Sequence, residues 1–155
     1  MDAAEFIKWC LVFGVPLFGN GGGGVIQTFT PTLSFGGDAQ AMTGTFGGAY
    51  LDQGNSIDLQ ILIALTNKGS ATGNAAVGNL PFVVGAEKWL PMFLQNCSAT
   101  GTTYVNFAAQ GVLGNTSLNL FNFSQAASPA VALSNANFTN TSIINISGTY
   151  WKDAS

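Results

Sequence analysis

The chain contains no histidine and no arginine. It therefore has no imidazole to move protons near neutral pH or to offer nitrogen to zinc. It also has no guanidinium fork to grip phosphate or carboxylate at two points. Charge of either sign is scarce. Only 7% of the 155 residues are charged, four lysines against seven acids, and the net charge is −3, whereas an average globular chain is about 25% charged. Nucleic-acid surfaces need clustered cations to release counterions from phosphate. The lysines here stand far apart, at 8, 68, 88 and 152, which argues against nucleic acid as a partner.

Cysteine is also scarce. Cys10 lies in an apolar run and Cys97 in a polar turn, and the two form no motif. Inert thiols and an extracellular disulfide are both open readings. The acids Asp38, Asp52, Asp58, Glu87 and Asp153 show neither a matched acid and base nor the spacing of a calcium loop. No catalytic residue, metal ligand or cofactor is expected, and the chain reads as a non-enzyme.

What fills the chain instead is 47% hydrophobic residues, 20 glycines, and much Asn, Ser and Thr. The length suits one domain with a real core. Faces rich in Asn and Thr can hydrogen-bond to one another, and a lone domain would normally carry more charge for solubility. Self-association is the expectation.

Residues 2–18, DAAEFIKWCLVFGVPLF, differ from the rest. Asp2 suits a helix N-cap, and Phe6, Ile7, Cys10 and Leu11 fall on one helical stripe before Gly14 and Pro16 end it. Two acids ahead of Lys8 and the lack of a small-residue cleavage site make a poor signal peptide. The run is too short to span a bilayer, which takes about 20 apolar residues. The predicted role is an anchoring arm whose contact positions are Phe6, Ile7, Trp9, Cys10, Leu11, Phe13, Leu17 and Phe18. Packing of the same stripe on its own domain is the alternative. The run GNGGGG at 19–24 reads as a flexible joint, and it lacks the Gly-Lys-Ser/Thr ending of a phosphate loop. The expected organisation is thus an arm and linker over 1–24 and a folded domain over 25–155.

From Val25 onward strands and turns alternate. In SIDLQILIAL, Ile57, Leu59, Ile61, Ile63 and Leu65 share one face while Ser56, Asp58 and Gln60 begin the other, the period-2 signature of a half-buried strand. Further strands are predicted at 25–35, 43–51, 75–84, 88–95, 102–113, 116–124, 130–134 and 142–150, with turn signals between them. Eight or nine short strands without a convincing helix predict an antiparallel, all-β sandwich of jelly-roll type, preceded by a short helical or extended arm. The passage LTNKGSATGNAAVGNLPF (65–82) reads as a hairpin joining two strands, with Lys68 a solvated turn charge. Six Asn-X-Ser/Thr sequons begin at Asn96, Asn115, Asn122, Asn137, Asn140 and Asn145, and composition accounts for them better than glycosylation does. Most aromatics fall in strands and are assigned to the core. Trp89 and Trp151, each beside a lysine near a segment end, are candidate exposed binding residues for a sugar or a neighbouring subunit.

Three stretches in order, FTPTLSFGG (29–37), TGTFGGAYLDQGNSIDLQILIALTNKGSATGNAAVGNLPF (43–82) and ISGTYW (146–151), resemble the bodies of bacteriophage virion-appendage domains, the tail-fibre and tailspike type. The family pattern has an aromatic-x-Pro opening, a Lys-Gly-Ser-x-Thr-Gly turn, a Leu-Pro-Phe strand and an Ile-Ser-Gly-x-Tyr end. Phe29 stands at the opening, Asn67 in place of a serine and Asn79 in place of a glycine. The resemblance implies a homotrimeric jelly-roll-like domain on the outer surface of a phage particle. With Met1 at its start and no shaft repeat ahead of the body, the chain is expected to suit a capsid decoration (cement) protein or short head fibre. The arm would then contact the major capsid protein or another virion protein. A tail-fibre or receptor-binding tip that recognises a host surface glycan or protein is the alternative.

Overall fold

The computed structural model describes residues 25–98, 106–123 and 129–153. The arm positions Phe6, Ile7, Trp9, Cys10, Leu11, Phe13, Leu17 and Phe18 lie outside the described residues.

The longest strand, β4 (Ser56–Asn67), sets the centre of the molecule. Its Ile57, Leu59, Ile61 and Ile63 are fully buried on one face, as the alternation predicts. Burying each such side chain is worth about 1.5–3 kcal/mol. Before it come β1 (Ile26–Phe29), β2 (Thr32–Phe35) and β3 (Thr43–Asp52); after it come β5 (Ala75–Gly78), β6 (Lys88–Gln95), β7 (Asn106–Gly111), β8 (Leu118–Phe123), β9 (Val131–Ala132) and β10 (Ile143–Trp151). One short 3-10 turn, Asn135–Asn137, interrupts the series. The strands are joined as one antiparallel sheet in the order β1-β3-β4-β10-β6-β7-β8-β5-β2, with β9 beside β8. The fold is all-β and sandwich-like.

The expected strand at 25–35 is two strands. Pro31 has no N–H to give to a ladder, and the chain breaks there. β1 pairs with β3 at one end of the sheet, whereas β2 pairs with β5 at the other. Only Thr30 and Pro31 separate them, so Phe29 and Thr32 are three Cα steps and at most about 11 Å apart. The sheet must therefore curl until the end of its first strand comes within that reach of the start of its last. Inside the curl lie Leu33, Phe35, Leu90, Leu118, Leu120, Ile144, Ile146 and Tyr150 with the β4 side chains. Phe138, just after the 3-10 turn, packs on Phe35 with ring centroids 5.2 Å apart.

The passage at 65–82 is not a hairpin. β4 pairs with β3 and β10, and β5 with β2 and β8, so the loop between them crosses the molecule. It is held on the way. Lys68 Nζ donates to the Asn135 carbonyl at 3.0 Å, and the Lys68 amide donates to Asn140 Oδ1, also at 3.0 Å. Lys68 thus spends its charge on a backbone carbonyl rather than on bulk water. Gly73 sits at φ +119 with its Cα side against Gly36, where an added Cβ would come within 2.7 Å of the Gly36 Cα.

Several sequon asparagines have structural duties. Asn137 is buried, and its Oδ1 accepts from the Ser134 amide at 2.8 Å to cap the 3-10 turn. Asn96 Nδ2 donates to the Thr141 carbonyl, while the Asn96 carbonyl accepts from Thr139 Oγ1 and Ser142 Oγ. Asn122 is buried as well. Cys97 is a free thiol packed against the core.

Candidate interaction surface

Pairing parity decides which side chains of β6, β7 and β8 face out. Leu90, Met92 and Leu94 enter the core, so Trp89, Pro91 and Phe93 point the other way. On β7 and β8 the outward set includes Ala108, Phe121 and Phe123. β6 is therefore apolar on both faces, which its sequence KWLPMFLQ already carries.

The outward aromatics touch. Trp89 meets Phe121 edge-on with centroids 5.2 Å apart and Phe123 at 5.5 Å, each such contact worth about 0.5–1.5 kcal/mol beyond buried area. Trp89 stays 42% exposed, and Phe93 is more exposed still. An open groove of about 330 Å³ runs beside them, lined by Trp89, Pro91, Asn106, Ala108 and Phe123 among others. No outward position of these three strands carries an ionisable group.

Pro91 shapes the surroundings. The ladder between β6 and β10 runs from Gln95–Ile143 to Met92–Ile146 and stops there, one residue before the proline that cannot donate to it. β10 continues along β4 to Trp151, which lies opposite Ser56. The two tryptophans singled out from the sequence are thus not brought together. Trp89 belongs to the aromatic face, while Trp151, 54% exposed, sits at the far end of β10 with no ring contact among the described residues. Phe121 and Phe123 escaped the sequence reading. Their signal was LNLFNF, whose outward face is aromatic at alternate positions and whose inward face includes Asn122.

Several ionisable groups are engaged elsewhere. Lys152 Nζ forms an ion pair with Asp52 and also lies 4.6 Å from the centre of the Phe82 ring. The hydrogen bond from Lys152, followed by one from the Gly54 amide, holds the Asp52 carboxyl below its ordinary range. Asp58 accepts from Thr149 Oγ1 at 2.6 Å and from Gln53 Nε2 at 3.2 Å. Burial pushes the Tyr150 phenol up to about 12, and its hydroxyl donates to the Phe82 carbonyl. Among the described residues no three of His, Cys, Asp and Glu gather as a metal site, and no helix is long and apolar enough to cross a membrane.

Fold and surface together define an antiparallel all-β domain presenting an uncharged aromatic face. No protein-family model and no curated protein matches the sequence. Among solved structures, the chain is similar to the Dettilon tailspike protein, with a TM-score of 0.64 and 17% identity over 81% of this chain. The match covers 23% of the tailspike, so the chain spans about a quarter of that protein's length. At this identity the likeness is one of fold.

Proposed function

We propose that this chain is a non-catalytic structural protein of a phage particle, a homotrimer with a jelly-roll-like body that decorates and reinforces the capsid. The observation that carries the reading is the shared fold with a tailspike over 81% of the chain, in a sequence almost free of chemically active side chains. The mechanism is mechanical. Residues 2–18 contact the major capsid protein, the body bridges neighbouring capsid subunits, and added contact area resists internal pressure. Many weak attachments acting together gain by avidity. A trimer meeting across uncharged faces avoids the desolvation cost of buried charge.

A second reading is favoured by the Trp89–Phe121–Phe123 face. Flat exposed rings beside polar groups suit stacking on a host sugar, as a receptor-binding tip requires. Copy number per purified particle separates the two. Hundreds of copies by quantitative gel densitometry fit decoration, while a few tens fit the tail. Absence from particles altogether would sink both.

A further inference from the structure

The outer face of β3 and β4 is buried with no described strand to bury it. Parity places Ala49 and Leu51 of β3, with Gln60 and Leu62 of β4, on the side away from the core: Ala49 pairs with Gln60, and Leu62 with Gly47 and Asn145. Ala49, Leu51 and Leu62 are outside the core cluster. Yet Ala49 is 1%, Leu62 3% and Gln60 4% exposed. Every described strand is already part of the one sheet that curls around the core, so none remains to lie across its outside. Gln60 adds a second, independent sign. Its buried Oε1 accepts no hydrogen bond among the described residues, and an unmet buried acceptor costs about 1–3 kcal/mol. Whatever covers this face should bring a donor.

We propose that this face is the dock for the chain's own N-terminal segment, residues 2–18. Ile26 pairs with Leu51, so the chain ahead of Val25 starts at the corner of the covered face. The joint at 19–24 can reach about 20 Å when extended, and β4 lies two strand spacings, about 10 Å, from β1. The segment offers Phe6, Ile7, Trp9 and Leu11 to Leu51, Ala49 and Leu62, and its amides and the Trp9 indole N–H can supply the donor for Gln60. A tethered segment reaches an effective concentration in the millimolar range, so its own body is favoured over a neighbour's. Without the segment, the face would leave a contiguous apolar patch in water. The inference holds whether or not the protein belongs to a virion. In the virion reading it adds that the anchor is parked on the free protein and must let go of this face to attach.

The test uses the full chain, grown with photo-leucine in place of leucine, a near-isosteric diazirine that leaves the core intact. After illumination, cross-links among Leu59, Leu90 and Leu120 report that the core is formed. The expected result is cross-links joining Leu51 or Leu62 to residues 2–18, in a product with the mass of one chain. The Leu62→Glu variant should lose them while keeping the core cross-links. Core cross-links without any between this face and the segment would overturn the proposal. So would face-to-segment cross-links found solely in a product of two-chain mass.

Discussion

Lys152 and Asp52, a hundred positions apart in the chain, meet with Nζ 3.0 Å from Oδ1 and 2.8 Å from Oδ2. The contact ties the last described residues to the end of β3. It also predicts acid behaviour. A carboxyl held below its ordinary value of 3.8 lends stability that is complete above that value and is lost as pH falls through the lower folded one. Urea midpoints followed from pH 5 downward should drop along this limb in the parent, and Asp52→Asn should flatten it. An unchanged acid limb in the variant would show that the pair does not set it.

Tyr150 predicts the opposite limb. Its phenol is raised from 10.0 to about 12, chiefly by burial, so the folded state favours the protonated form. That stability is full below pH 10 and is lost as pH rises toward 12. The Tyr150 share of the phenolate absorbance should therefore appear late, together with unfolding. Tyr150→Phe should remove the late titration and destabilise by about 1 kcal/mol at neutral pH, the usual net worth of one hydrogen bond.

Phe35 fills the core where β2 leaves the seam and packs on Phe138. Phe35→Ala should cost about 3–5 kcal/mol, read from denaturant midpoints at constant slope. A cost under about 1 kcal/mol would mean that the site collapses without loss.

Two glycines separate sterics from backbone strain. Gly73 and Gly54 both have positive φ, but an alanine methyl would strike Gly36 at the first and meet nothing within 4 Å at the second. Gly54→Ala should cost roughly 1 kcal/mol from strain alone. Gly73→Ala should cost clearly more, as measured by thermal midpoint. Equal costs would refute the close approach.

Trp89→Ala removes two edge-to-face contacts and should cost about 1–3 kcal/mol of stability. If the aromatic face stacks on a host sugar, the same change abolishes retention on that sugar, whereas Trp151→Ala does not. Equal loss from both variants would point to a site that the fold does not assemble.

Much of the fold was legible because the core obeys a local rule. Alternation in Ile57 to Leu65 placed β4, and similar runs placed β3, β6, β8 and β10 within a few residues. What was not legible depended on partners distant in sequence. Nothing local to TNKGSATGN says that β4 and β5 pair with other strands, so a turn-rich loop looked like a hairpin. Pro31 marked a break, but only the sheet order shows that the break carries the chain from one end of the sheet to the other. Lys68 looked solvated because its acceptor, the Asn135 carbonyl, lies 67 residues away. At the candidate surface, Trp89 stood out as a single unusual residue. Phe121 and Phe123 did not, because their grouping with it arises from the β6-β7-β8 register.

The two-residue link at Thr30 and Pro31 also bears on how so uncharged a chain avoids clumping. A sheet's outermost strands carry unpaired amides and carbonyls that can recruit another molecule's strand, and proteins commonly blunt them with lysine. This chain has few lysines to use. Its outermost strands, β1 and β2, are instead four residues each, and the link turns the chain directly from one rim to the other, so neither presents a long open rim to a stranger. Lengthening the link with glycines would free the two rims from each other, and the first consequence should be fibrillar or amorphous aggregation rather than unfolding.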